Sequence, residues 1–502
     1  MRIRPVLVLV VLLLAGCRID GTASPAPDGW EFVSEQPCAD AGADGASDFS
    51  CVTLSVPVDH AQPAGEHWDV TFGVLRAEGE RKGVYVTATG GPGSSGLDVA
   101  DSYAAAFPDD VRQGFDVVFL DQRGIGLSQE LRCDDTYYSY SGFVDTSSTP
   151  AERDAFADAS TGFGEDCFAE AGVDPATAPR YATAQAVEDL EDFRQWLDAP
   201  ELTLYGESYG TQYVQTYAAA HPDRVAGLLV DGVVDLATDQ PEFAVEQAQG
   251  QSDVLVATLA RCDTNPVCAA VAPGDSLADY DALLARLAAD PVTPPGGDPV
   301  DDYTLRAAAG SSMGDPYARQ EFTDALNDAL VGDFAGLDAL GNGGYGPTSD
   351  FSDALYYAVE CQDYDVVPEG GDPRAVLDDW LDAGAAAGVD QLRLSSFYGD
   401  VDCLFWPGST TTPDFARPAP VTDPPYPVMV LNADTDPATP FVGARSVFRD
   451  LVPGAGPADA AIVQLYGPHV IYGRGDPCID EPVDAFITTG QVPAQRVTIC
   501  TW

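Results

Sequence analysis

Along the first half of the chain, short apolar runs alternate with amphipathic stretches. Gly83-Val-Tyr-Val-Thr-Ala88 and Phe115-Asp-Val-Val-Phe-Leu120 are almost continuously apolar and of strand length, as strands covered on both faces should be. Thr183 to Leu197 places apolar residues at helical spacing. A strand from Leu202, a helix from Gln212 to Ala220 and a strand within Arg224 to Asp235 follow. Ahead of all these, Cys51 to Asp59 and Trp68 to Leu75 alternate as antiparallel strands at an exposed sheet edge do. Repeated strand–helix alternation predicts an α/β fold, with a mainly parallel sheet and flanking helices.

From about residue 236 to 423 the pattern changes. Helical segments rich in Ala, Asp and Leu are separated by Pro/Gly stretches such as Pro294-Pro-Gly-Gly297. This predicts an inserted helical cap, with the core divided into residues 46–235 and 424–502. Pro427 to Asn432 resumes the parallel-strand pattern, Ala461 to Tyr466 reads as the last strand, and Val483 to Thr489 as a terminal helix.

The first residues read as a targeting segment. Arg2 and Arg4 precede an apolar run, Val6 to Leu14, that is too short to span a bilayer. Leu14-Ala15-Gly16-Cys17 looks like a lipobox, so residues 1–17 are expected to be a lipoprotein signal peptide with Cys17 lipidated. An ordinary secretory signal is the alternative. Residues 18–45 read as a flexible tether, and the protein is expected at the cell surface on its lipid anchor, or secreted.

Composition narrows the partners. Eighty acidic residues against 24 basic ones leave a net charge of -56, with Lys82 the single lysine. Phosphate contacts require a basic surface, so nucleic acid is excluded, and membrane contact is expected only through the N-terminal anchor. Such a surface is suited to salty surroundings and draws cationic substrates into any acidic cleft. Setting Cys17 aside, 10 of the 11 cysteines remain, an even number on an exported chain, which favours disulfides. Nearest-neighbour pairing gives Cys38–Cys51, Cys133–Cys167, Cys262–Cys268, Cys361–Cys403 and Cys478–Cys500. No spacing suits a structural zinc site, and neither metal nor cofactor is expected. A monomer is expected.

The chemistry centres on Gly206-Glu207-Ser208-Tyr209-Gly210, a G-x-S-x-G nucleophile elbow between strand and helix. A serine hydroxyl needs a base, and only four histidines exist. His60 and His67 lie in an early hairpin, and His221 ends the helix after the elbow. His469, on the loop after the last expected strand, stands where the chain order Ser, Asp/Glu, His puts the base. The carboxylate should follow the penultimate strand, where Asp436 is preferred because Pro437 and Thr439-Pro440 stiffen its loop; Asp434 is the alternative. Oxyanion donors are expected from the amide of Tyr209 and from Gly90 or Gly91. A phosphate-binding reading of the loop Thr89 to Gly96 fails, because neither G-x-G-x-x-G nor G-K-[ST] is present.

Taken in order, Gly90-Gly91-Pro92-Gly93-x-Ser95-Gly96, Asp121-Gln122-Arg123-Gly124-x-Gly126-x-Ser128, Gly206-x-Ser208-Tyr209-Gly210-Thr211, Asp231-Gly232-Val233-Val234-Asp235 and Asp436-Pro437-x-Thr439-Pro440 form a specific set. The chain resembles the secreted tripeptidyl aminopeptidases of actinobacteria, a branch of the α/β-hydrolase peptidases that includes the proline iminopeptidases. The resemblance spans Cys51 to Cys500 and is weakest in the cap. It implies an α/β-hydrolase fold and a serine exopeptidase that removes short peptides, typically tripeptides, from free N-termini. An esterase or other small-molecule hydrolase on the same triad is the alternative. Glu207 and the Glu360–Asp363 segment are candidates for binding the substrate amine. Two departures stand out: Thr89 replaces the histidine of the proline iminopeptidases, and Pro468-His469-Val470 replaces a more usual Gly-His-Gly.

Overall fold

A computed structural model describes residues 29–140, 149–266, 268, 274–343, 351–368, 370–409, 417–451 and 459–502. The expected signal peptide, Cys17 and most of the tether lie outside these residues. One ten-stranded sheet organises the molecule, in the order β1-β2-β3-β5-β4-β6-β7-β8-β9-β10. Its strands are β1 (Glu31–Pro37), β2 (Ser50–Pro57), β3 (His67–Leu75), β4 (Gly83–Ala88), β5 (Phe115–Asp121), β6 (Leu202–Glu207), β7 (Val225–Asp231), β8 (Val428–Ala433), β9 (Asp459–Leu465) and β10 (Val497–Thr501). Pairing is antiparallel from β1 through β2 and β3 to β5, and parallel from β5 onward.

Two strands differ from the sequence expectation. β1 lies in the stretch read as tether and pairs with β2, so β1 and not β2 forms the sheet's edge. Its residues are almost all exposed, and a strand with no buried face carries no apolar alternation to betray it. Cys38–Cys51 pins it to β2. At the other edge β10 extends the sheet beyond β9, which was expected to be last. β10 buries only Cys500, whose bond to Cys478 ties it to the helix Pro477–Thr489.

The central strands are buried on both faces, which is why their sequences are continuously apolar. On β6, Tyr205 joins Tyr85, Phe119, Leu229 and Ile462 on the face covered by Phe486 of the helix Pro477–Thr489. Leu204 faces the opposite way, with Val86, Val118 and Val230, against Leu190 of the helix Thr183–Trp196 and Tyr213 of the helix Tyr209–Ala220.

Between β7 and β8 the chain makes an insertion in two differently attached parts. The first holds the helices Gln240–Thr264, Ser276–Ala289, Asp302–Ser312, Pro316–Leu330 and Ala335–Gly341, around a core of its own that includes Leu255, Tyr280, Leu305 and Phe322. The second holds Asp353–Asp363 and Pro373–Ala387, and its Leu355, Trp380 and Trp406 belong to the same apolar core as Phe163 and Tyr213 of the body. Part of the acidic excess has a local use here. Asp239, Asp275, Asp301, Asp315 and Asp372 each accept a backbone N–H in the first turn of a helix, where a negative charge also meets the positive end of the helix dipole.

All five disulfides join cysteines that are neighbours in sequence, as nearest-neighbour pairing expects. Among the described residues no helix is long and apolar enough to cross a membrane.

Candidate active site

Ser208 sits at the turn between β6 and the helix Tyr209–Ala220 with φ 55° and ψ −126°. A non-glycine residue there is strained, and the strain projects the hydroxyl out of the sheet. The flanking glycines are required by close approach. A Cβ on Gly206 would lie 2.2 Å from Gly210 O, and one on Gly210 would lie 2.0 Å from Ala88 O. The turn is held by Ser208 N donating to Asp231 O at 2.9 Å and by Thr211 Oγ1 donating to Ser208 O at 2.7 Å.

His469 and Asp436 come together as acid and base. His469 Nδ1 lies 2.9 Å from each oxygen of Asp436. The carboxylate is buried and also accepts Ala438 N at 3.0 Å, Thr439 N at 2.9 Å and Thr439 Oγ1 at 2.9 Å. Four donors converging on one carboxylate fix its rotamer, and through it the imidazole. Asp434, the alternative, is exposed and accepts Tyr466 N at 2.6 Å, away from the imidazole. Burial pulls the His469 pKa down, but the charge and hydrogen bond of Asp436, with Asp231 and Glu207 behind, outweigh it and hold it above the ordinary value.

Ser208 and His469 line one cavity of about 340 Å³ with Gly90, Gly91, Tyr103, Glu207, Phe351 and Arg474. A Cβ on Gly90 would lie 2.9 Å from Ser208 Cβ, so only glycine lets this backbone approach the nucleophile. Gly91 has φ 112°, outside the range of ordinary side chains, and Tyr209 opens the helix directly after Ser208. Of the residues expected as oxyanion donors, Gly90 and Gly91 thus line the cavity with Ser208, and Tyr209 adjoins it in the chain. The other histidines are elsewhere: His67 contacts Gly29 O at 2.8 Å, His221 meets Glu188 at 3.0 Å, and His60 meets Asp189 at 2.8 Å.

The Asp121-Gln122-Arg123 motif is scaffold for this loop. Asp121 accepts Ser95 Oγ at 2.6 Å, Leu97 N at 3.2 Å and Leu127 N at 2.9 Å, which locks the end of the glycine loop to β5. Arg123 is fully buried and bidentate on Asp189, from Nε at 2.8 Å and Nη2 at 2.5 Å.

Three contacts of the site had no sequence signal, although Asp231 and Glu207 lie in motifs singled out from the sequence. Asp231 couples nucleophile and base: its carbonyl holds Ser208 N, while its carboxylate accepts Ile471 N at 3.0 Å and Tyr472 N at 2.9 Å just beyond His469. Tyr103 donates to Glu207 at 2.7 Å, and burial pushes the Glu207 pKa up to about 7. Arg474 lines the catalytic cavity and, with Tyr103 and Val470, a second one of about 430 Å³. Of the amine-binding candidates, Glu207 lines the catalytic cavity, whereas Glu360 lies in the second part of the cap beside Asp400 and Arg417. Asp363 is spent on Thr183 N at 2.9 Å and Gln212 Nε2 at 2.6 Å. Val470 has φ 64°, a conformation costly for a β-branched residue. No group of three or more His, Cys, Asp or Glu among the described residues is arranged to hold a metal ion.

The family model for the alpha/beta hydrolase fold matches residues 86–456. The chain belongs to this family. As an alpha/beta hydrolase with an elbow serine and a buried Asp–His pair, it is a serine hydrolase. It is 28% identical over 475 residues to the serine protease Hip1 of Mycobacterium tuberculosis, covering 88% of this chain and 86% of that one. It is 25% identical over 482 residues to the tripeptidyl aminopeptidase of Streptomyces lividans, covering 90% and 83%. It is 27% identical over 468 residues to carboxylesterase B of Mycobacterium tuberculosis, covering 88% and 85%.

Proposed function

We propose that this alpha/beta hydrolase is a serine exopeptidase that releases short peptides, tripeptides foremost, from free N-termini. The observation that carries the reading is similarity along nearly the whole chain, cap included, to a tripeptidyl aminopeptidase and to a serine protease. The adjoining cavities of about 340 and 430 Å³ give room for several residues around Ser208, and the charge of -56 favours an ammonium-bearing substrate. In this mechanism Ser208 Oγ attacks the peptide carbonyl while His469 takes its proton, and Asp436 stabilises the imidazolium that forms. The amides of Tyr209 and of Gly90 or Gly91 meet the oxyanion. His469 returns the proton to the departing amine, and water then frees the acyl group.

Tripeptidyl, dipeptidyl and aminoacyl anilides, assayed beside an N-acetylated tripeptidyl anilide and p-nitrophenyl esters, test this. The tripeptidyl substrate should have the highest kcat/KM, and acetylation should lower it at least ~10-fold. Turnover of esters alone would favour the second reading, an esterase, for which similarity to carboxylesterase B speaks.

Five disulfides accord with an oxidising, exported location. For the anchor we infer lipidation at Cys17; Cys17→Ser should move the protein from the membrane fraction to the medium, and unchanged membrane retention would refute it.

A further inference from the structure

The loops that carry acid and base belong to the body, yet the first part of the cap grips both of them. Arg319, on the cap helix Pro316–Leu330, is fully buried. Its Nε donates to Met313 O at 2.7 Å, inside the cap. Its Nη2 donates to Thr435 O at 2.7 Å and to Gly467 O at 3.1 Å, and its Nη1 to Thr435 Oγ1 at 3.1 Å. Thr435 immediately precedes Asp436, and Gly467 lies two residues before His469. Thr435 Oγ1 itself donates to Gly467 O at 3.1 Å, closing a small ring of hydrogen bonds between the two loops. The same part of the cap adds Gly314 O, which accepts His469 N at 2.7 Å, and Gln247, which donates to Ala438 O at 2.9 Å.

The hydrogen-bonding partners of Arg319 are carbonyl oxygens and a hydroxyl, not a carboxylate. Burying a guanidinium without an ion-pair partner is expensive, so its position calls for a compensating gain. The base loop supplies a reason. Tyr466 and Val470, on either side of His469, have φ 58° and 64°, and such a backbone persists only when its surroundings over-determine it. The Tyr466 ring packs under Arg319, 5.1 Å from the guanidinium carbon to the ring centre. A planar fork can address two loops at once, which the point charge of lysine cannot.

We propose that Arg319 is a positioning residue for the triad, holding the Asp436 and His469 loops at the separation that hydrogen-bonds acid to base. The inference rests on Ser208, His469 and Asp436 acting together. It makes this part of the cap a fixed component of the catalytic apparatus, because moving it would carry acid and base away from Ser208.

Arg319→Lys and Thr435→Val, in the full chain, test it by the rate of Ser208 labelling with a fluorophosphonate between pH 5 and 9, which depends on the triad but not on substrate class. Arg319→Lys should label about 100-fold more slowly at neutral pH. Its acid limb should move to lower pH, because His469 loses the neighbouring charge that raises its pKa, while KM for any turned-over substrate stays within ~3-fold. Thr435→Val should shift both readouts in the same direction, with a rate loss of about 10-fold. Folded Arg319→Lys that labels at the wild-type rate with the wild-type acid limb would overturn the inference, whatever its melting temperature. Should that variant not fold, Thr435→Val decides alone, and wild-type behaviour there overturns it equally. Failure of wild-type Ser208 to label would strike the triad itself, a different outcome.

Discussion

Replacing Asp436 by Asn changes one atom of the site and reverses the direction of one hydrogen bond. Oδ1 of Asp436 accepts Ala438 N and Thr439 N, and Oδ2 accepts Thr439 Oγ1, with His469 Nδ1 2.9 Å from both. An asparagine keeps its oxygen toward the two amides, since an NH2 there would face N–H groups. Its NH2 is then left facing Nδ1 and donates to it, so the imidazole carries its proton on Nε2 and cannot accept one from Ser208. The negative charge that outweighs burial at His469 is also removed. Loss of both effects in a triad costs about 10⁴-fold in kcat, or ~5.5 kcal/mol of transition-state stabilisation. The assay is kcat and kcat/KM for the best anilide from the substrate panel, between pH 5 and 9, with the melting temperature as a control for folding. The wild-type acid limb should lie above pH 6.5, because neutral His469 is required and its pKa is raised. Asp434→Asn, at an exposed residue bound to Tyr466 N, should stay within ~3-fold of wild type. A loss below ~10-fold in Asp436→Asn, or a larger loss in Asp434→Asn, would refute the assignment.

Gly90→Ala should cost about 100-fold in kcat with little change in melting temperature, because its Cβ would stand 2.9 Å from Ser208 Cβ and displace the nucleophile; kcat within twofold of wild type would contradict this. Mild acid should stabilise the protein. Burial raises the pKa of Asp121, Asp231 and Asp402 to about 6 from 3.8, so the folded state binds protons more readily, and this contribution is lost as pH rises through about 6. The melting temperature should therefore be a few °C higher at pH 5 than at pH 7.5, and the opposite order by calorimetry would refute it. Asp189 works the other way: Arg123 holds its pKa low against burial, so its contribution is lost only below the ordinary carboxylate range. Raising NaCl from dilute buffer to molar concentration should raise the melting temperature by screening the net charge of -56; an unchanged value would remove the idea of adaptation to salt.

Much of the active site was legible in the chain because its chemistry is local. Gly206 and Gly210 are forced by contacts of 2.2 and 2.0 Å around one turn, so the elbow shows in five residues. His469 could be chosen because only four histidines exist and one follows a late strand. β1 was not legible, since an exposed edge strand is held by backbone hydrogen bonds that any side chain permits. The two attachments of the cap were hidden for a related reason. The helices carrying Tyr280 and Trp380 both bury an apolar face, and amphipathic spacing does not say which core receives it.

By itself the sequence determined the strand–helix alternation and singled out the candidate nucleophile and base, and it made the neighbouring cysteine pairs the expected ones. Each of these follows from short-range sterics, periodicity or scarcity of a residue type. Only the tertiary structure decided between Asp436 and Asp434, because both lie on one loop and just one is turned inward to His469. It alone assigned Asp231 to the base loop, 240 positions away in sequence, and Arg319 of the cap to Thr435 and Gly467. Such contacts leave no periodic trace. They arise where chain segments distant in sequence must share donors and acceptors in a buried space that water cannot satisfy.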